Sequence, residues 1–166
     1  MMRRLRRALT AGALIAAAPF ASAAGEEKAA NTVVFVCEHG TVKSVIAMQL
    51  FNKLAREQGS RLRAVSRGTS PDSEVPQAIA QALSKDGLNP AGFQAKGLSW
   101  GDLKSAARVV SIGVDVLPVT KGSAVPVEAW NDIPAASLDY AAARDALKAK
   151  IVDLLQREAR AARPPL

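Results

Sequence analysis

The chain has one cysteine, one histidine and one tyrosine in 166 residues. A single cysteine cannot close an internal disulfide, so no disulfide framework holds this protein together. A single histidine with no Cys/His cluster around it makes a poor metal site, and the sequence implies no metal or other cofactor. Aromatic residues make up only 4%. With alanine abundant, that composition suits helices packed on a small sheet. The chain also lacks a basic stripe with aromatics interleaved, so no nucleic-acid partner is expected. No internal repeat and no second domain is visible, and 166 residues amount to one domain with a sizeable core.

Acidic residues are missing from the first 23 positions, which hold four arginines. Without those arginines the formal charge of +7 falls to +3, so the high pI belongs largely to this leader. Residues 1–7 form a basic start and residues 8–20 an apolar run too short for a comfortable membrane span. Ala21-Ser22-Ala23 is a small-x-small cleavage site. The pattern predicts a signal peptide over 1–23, cleaved after Ala23, and a periplasmic or secreted protein with no stable membrane insertion after cleavage. A polar spacer over 24–31, one α/β domain over 32–160 and a frayed, proline-ended tail over 161–166 complete the expected organisation.

What is present is concentrated at residues 33–51. A β-branched apolar run, Val33-Val34-Phe35-Val36, ends on Cys37; six loop residues follow, then Ser44 and apolar positions with helical spacing. In a strand–tight loop–helix arrangement, successive backbone N–H groups converge on an anion, and the helix N-terminus adds partial positive charge at the same point. That field stabilises a thiolate. A lone cysteine is reactive, inert in the core or lost to oxidation; the loop and helix that follow this one favour a reactive group.

Further strands are expected over 62–66, 108–113 and 127–130. Helices are expected from Ser44 to near Gln58-Gly59, from Pro76 to Asp86-Gly87, from Ser99 with Asp102 completing a capping box, and from Leu138 onward along Leu138, Ala142, Leu147, Ile151, Leu154 and Leu155. Residues 67–72 read as a turn-rich loop and 114–127 as irregular. Strands alternating with helices long enough to cross over require a mostly parallel sheet covered on both faces. A ligand then sits beyond the carboxyl end of the first strand, where Cys37 lies.

Cys37, five intervening residues, Lys43 and Ser44 resemble the C-x5-R-S loop of low-molecular-weight protein-tyrosine phosphatases and their arsenate-reductase relatives. The Cys-x-His spelling is nearer to the arsenate-reductase branch. The family has arginine where this chain has Lys43, so a planar two-point grip becomes a mobile point charge. The resemblance implies a three-layer α/β fold with a four-stranded parallel sheet in the order 2-1-3-4. It implies that Cys37 is the nucleophile, and that the backbone N–H groups of Glu38, His39, Gly40, Thr41, Val42 and Lys43 hold phosphoryl oxygens. Ser44 then donates to the thiolate, His39 shapes the loop, and Gly40 stands where the family often has asparagine. Ser66-x-Gly68-Thr69 resembles the segment that supports this loop. The family carries an Asp-Pro pair in a late loop shortly after a tryptophan; the partial match here, Trp130-Asn131-Asp132-Ile133-Pro134, makes Asp132 the candidate general acid, with Asp115 and Asp139 as rivals.

The implied ligands are phosphate or a similar oxyanion and a phosphoester substrate. The implied activity is phosphomonoester hydrolysis, including that of phosphotyrosine, through a phosphocysteine. Two alternatives stand beside it: an oxyanion- or partner-binding protein with little turnover because of Lys43, and an arsenate reductase using an external thiol.

Overall fold

The computed structural model describes residues 30–162. The expected leader, residues 24–29 of the spacer and residues 163–166 of the tail lie outside them. The strands are β1 (Thr32–Cys37), β2 (Arg63–Gly68), β3 (Ala106–Ser111) and β4 (Val127–Ala129). All pair in parallel, in the order β2-β1-β3-β4, which is the order that the resemblance implied. The helices are α1 (Lys43–Glu57), α2 (Gln77–Lys85), α3 (Trp100–Leu103), α4 (Leu117–Thr120) and α5 (Tyr140–Ala161).

The period-2 geometry of β1 explains the three layers. Val33, Phe35 and Cys37 face one side and join a core with residues of α1, α2 and α5. Val34 and Val36 face the other and pack with Leu103, Ala106, Val109 and Val116, near the short helices α3 and α4. A central strand buried on both faces needs apolar residues at consecutive positions, and residues 33–36 are all fully buried. Phe35 is the hub of the larger core, with its ring centroid 5.7 Å from that of Phe51 and 5.6 Å from that of Trp130. Among the described residues no helix is long and apolar enough to cross a membrane.

Several boundaries differ from the expectation, among them that of β3, which spans Ala106–Ser111 where 108–113 was expected. β2 continues two residues past Ser66, because its pairing with β1 runs on through Val36–Arg67 and Cys37–Gly68; Gly68 also donates to Lys96 O (2.9 Å), accepts from Leu98 N (2.9 Å) and bridges to Gly97. The irregular stretch 114–127 contains the single turn α4, which starts where Asp115 Oδ1 accepts from Leu117 N at 2.8 Å. Leu138 does not belong to the buried face of the last helix: it is 89% exposed. That helix begins at Tyr140, Asp139 caps it by accepting from Ala142 N at 2.9 Å, and its buried stripe starts at Ala143. The helix runs to Ala161, one residue past the expected domain end.

Candidate active site

The carboxyl ends of β1, β3 and β4 converge. Ile112 N donates to Val36 O at 2.7 Å and Trp130 N to Ser111 O at 2.8 Å, so the three loops that leave these strands are neighbours. Between them lies a cleft of about 390 Å³. Cys37, Glu38, His39, Val42 and Lys43 form one side; Ile112, Gly113 and Val114 follow β3; Asp72 and Pro76 come from the loop after β2; Ala135, Ala136 and Ser137 come from the segment before α5.

Residues 38–42 pass from β1 into α1 without pairing. Among the described residues, no hydrogen bond is donated by the backbone N–H groups of Glu38, His39, Gly40, Thr41, Val42 or Lys43. Gly40 and Thr41 are buried. Buried N–H groups almost always have partners, so a run of six without one is a ready acceptor site for an anion. The N-terminus of α1 opens on the same point, with no side-chain cap and no acidic residue in its first turn to compete. The Thr41 hydroxyl is likewise buried without a partner.

Cys37 is 3% exposed, and its Sγ lies 3.0 Å from Ser44 Oγ. Ser66 Oγ stands 2.8 Å from Ser44 Oγ and 2.9 Å from Gly40 O. Each hydroxyl has one proton. With the sulfur as thiolate, Ser44 donates to it, and Ser66 divides its proton between Ser44 and the Gly40 carbonyl. Two buried serines from α1 and β2 thus fix the sulfur from below.

The segment after β2 latches the loop from the side. Thr69 N donates to Cys37 O (3.1 Å), Ser70 N to Glu38 O (2.8 Å) and Asp72 N to His39 O (3.0 Å). Gly40 has φ +68°, the left-handed conformation expected for it. Its second role was not legible in the sequence: a Cβ there would come within 2.8 Å of Gly68 N, and a Cβ at Gly68 within 3.0 Å of Gly40 N, Glu38 O and His39 C. The two glycines pack backbone to backbone. Asparagine tolerates the dihedral angle at Gly40, but its Cβ needs the space that Gly68 fills. Arg67, between Ser66 and Gly68, anchors β2 to α3: its Nε and Nη2 donate to Asp102 Oδ1 at 2.9 and 2.7 Å. Asp102 Oδ2 accepts from Ser99 N and Oγ at 2.9 and 2.8 Å, which is the expected capping box. Burial works against the charge on Asp102, yet the hydrogen bonds from Arg67 and Ser99 hold its carboxyl below the usual range.

Lys43 is half-buried and, among the described residues, has no ion-pair partner. Its Nζ lies beside Gly113, where a Cβ would approach it to 3.2 Å. Its charge is therefore available in the cleft. His39 sits between two carboxylates: Nδ1 is 3.4 Å from Asp72 Oδ2 and Nε2 is 3.7 Å from Glu38 Oε2.

Asp132 is not brought to this place. It does not line the cleft; it is exposed, and its Oδ1 lies 3.0 Å from Lys150 Nζ, whose hydrogen bond holds the Asp132 carboxyl below its ordinary range. Trp130 is buried against Phe35, donates from Nε1 to Glu128 Oε1 at 2.8 Å and has Lys150 Nζ 5.9 Å from its ring centroid. Residues 135–137, and not residue 132, line the cleft with Cys37. Asp115 and Asp139 are the turn and cap residues described above. The carboxylates that do line the cleft are Glu38 and Asp72. In the sequence Asp72 stands only in a turn-rich loop; its place in a segment that follows Ser66-x-Gly68-Thr69 is the available signal. No group of three His, Cys, Asp or Glu side chains among the described residues is disposed to hold a metal ion.

A three-layer α/β fold with a cysteine at the floor of an unpaired-amide loop is the arrangement that the C-x5-R-S resemblance implied. The chain belongs to the low molecular weight phosphotyrosine protein phosphatase family, whose model matches residues 32–116, about half of the chain. It is similar in structure to YfkJ from Bacillus subtilis, with a TM-score of 0.68 and 17% identity over 80% of this chain and 96% of that one. It is also similar to the YwlE arginine phosphatase from Geobacillus stearothermophilus (TM-score 0.64, 20% identity, 82% of this chain and 99% of that one). A third similar structure is an arsenate reductase in the phosphate binding state (TM-score 0.63, 16% identity, 76% of this chain and 98% of that one). At these identities the likeness establishes the fold. A comparison with curated protein sequences finds no match.

Proposed function

We propose that the protein is an exported phosphomonoesterase that works through a phosphocysteine on Cys37 and turns over slowly because Lys43 replaces arginine. The observation that carries this reading is the run of six unpaired backbone N–H groups beside a sulfur 3.0 Å from Ser44 Oγ. A phosphoryl group seated in the loop places its phosphorus against Sγ, with its equatorial oxygens on the amides. The thiolate forms an S–P bond as the ester P–O bond breaks; water then cleaves the S–P bond and releases phosphate. Lys43 supplies positive charge, but a single ammonium binds ground and transition states more evenly than a fork that fits two oxygens. Membership of the phosphatase family and the likeness to an arginine phosphatase support phosphoryl chemistry, and the likeness to a phosphate-bound arsenate reductase supports an oxyanion ligand.

A second reading, an oxyanion-binding protein with little turnover, is favoured by Lys43 and by the wall of Ala135, Ala136 and Ser137, which presents no acid to the cleft. Arsenate reduction needs an electron relay from an external thiol, because Cys37 is the only cysteine. Acid-quenched reactions with an artificial aryl phosphate separate these readings. An intact mass increased by one phosphoryl group on the native protein but not on Cys37→Ala, with phenol released in a burst, supports the phosphatase. Phosphate binding in calorimetry with no covalent adduct and no phenol release leaves the binder.

A further inference from the structure

The phosphatase reading leaves one proton without a source. A departing alkoxide needs an acid near its oxygen, and the segment before α5 offers the cleft only Ala135, Ala136 and Ser137. We infer that His39, held by Asp72, is the proton donor to the leaving group in this chain. The assignment rests on the phosphoryl-transfer reading above.

The side chains lining the cleft that carry a titratable or charged group are Cys37, Glu38, His39, Lys43 and Asp72. Cys37 is the nucleophile and Lys43 cannot both neutralise the phosphoryl oxygens and give up its charge. The loops after β3 and before α5 contribute no charged group to the cleft. Of the remaining lining groups, Glu38 and Asp72 are acceptors only when ionised, whereas the imidazole carries an N–H in either protonation state. Asp72 grips His39 twice, through its backbone N–H to His39 O at 3.0 Å and through Oδ2 at 3.4 Å from Nδ1. The Asp72 carboxylate thus stands on the Nδ1 side of the ring and the exposed Glu38 carboxylate 3.7 Å from Nε2, and the side chain that they flank lines the cleft. Asp72 is a positioning residue in this arrangement.

The step balances. The Cys37 lone pair forms the S–P bond while the P–O pair passes to the leaving oxygen, which takes the Nε2 proton and departs as an alcohol or phenol. The neutral imidazole then accepts a proton from the water that attacks phosphorus, and the S–P pair returns to sulfur. Each cycle restores both thiolate and imidazolium.

The test compares nitrophenyl phosphate, whose leaving group departs readily unprotonated, with phenyl phosphate, whose leaving group gains more from a proton. His39→Gln should lower phenyl phosphate turnover about a hundredfold, the ordinary scale of general acid catalysis, and nitrophenyl phosphate turnover at least tenfold less. Asp72→Asn should give the same selective loss at smaller size, in kcat and not in KM. Adding Ala135→Asp to His39→Gln places a carboxyl on the facing wall and should recover phenyl phosphate turnover. Equal protection of Cys37 from iodoacetamide by phosphate in native protein and variants checks that the loop keeps its shape. If both variants lower the two esters equally, or if Glu38→Gln produces the selective loss instead, the assignment to His39 is overturned while the phosphatase reading stands. If native protein releases neither phenol and forms no phosphocysteine, the phosphatase reading falls, and the assignment with it.

Discussion

Gly68→Ala isolates the contact that shapes the anion loop. Gly68 lies at the end of β2 and, unlike Gly40, does not have positive φ, so alanine there carries no conformational penalty. The cost is purely one of space. The new methyl group would stand 3.0 Å from Glu38 O, Gly40 N and His39 C, all backbone atoms that no rotamer change can move away. The loop must retreat by a few tenths of an ångström, and it is tied where it would move: Thr69 N to Cys37 O, Ser70 N to Glu38 O and Ser66 Oγ to Gly40 O. Overpacking of this kind costs about 1–3 kcal/mol. Displacement of the amides matters more, since a misplacement on the order of 1 Å at a reacting centre costs about a hundredfold in rate. The expected result is a urea midpoint lowered by the equivalent of about 2 kcal/mol, with at least tenfold weaker phosphate protection of Cys37 against iodoacetamide. Gly59→Ala is the control. Its φ is +66° with nothing within 4 Å of the added methyl, so it should cost about 1–2 kcal/mol of stability and leave phosphate protection unchanged. Native stability and native phosphate protection in Gly68→Ala would refute the idea that glycine-on-glycine packing sets the loop.

Lys43→Arg should raise turnover of an aryl phosphate at least about tenfold, roughly 1.4 kcal/mol of transition-state stabilisation, while phosphate affinity changes much less; steady-state rates beside calorimetry check it, and unchanged turnover would mean that the loop is built around lysine. Asp102→Asn should destabilise by about 1–3 kcal/mol, because the Arg67 guanidinium loses its charged acceptor between β2 and α3. The folded carboxyl titrates below its unfolded value of about 3.9, so its contribution is complete above that pH and is lost as pH falls through the lower folded value. Urea midpoints of native protein and variant should therefore stay apart above about pH 4 and begin to converge only as the pH falls below it. Intact-mass measurement of the exported protein should give a chain beginning at Ala24, and a mature species retaining Met1 would overturn the cleavage.

The strand–loop–helix at residues 32–57 was legible because its signals are local: consecutive apolar residues for a doubly covered strand, a small loop ending in serine, then helical spacing. The sheet order came from family resemblance, since nothing in composition ranks the strands. Leu138 shows where periodicity misleads. It fits the apolar stripe, but Asp139 caps the helix behind it and leaves it in solvent. Asp132 shows a second limit: its neighbour Trp130 fixes the loop through Phe35 and Glu128, contacts made with distant parts of the chain. The meeting of His39 with Asp72 likewise depends on two loops that only the β1–β2 pairing brings together.

The solitary thiol has a chemical consequence beyond turnover. Peroxide converts a thiolate to a sulfenic acid, and most proteins stop there by closing a disulfide with a second thiol. Cys37 has none to reach, so further oxidant carries it to the sulfinic state, which is not readily reversed. Cys37 is 3% exposed, and the opening beside it is the cleft. An anion bound in that loop would therefore shield the sulfur. For a protein exported as proposed, occupancy of the loop would then govern how long the thiol survives.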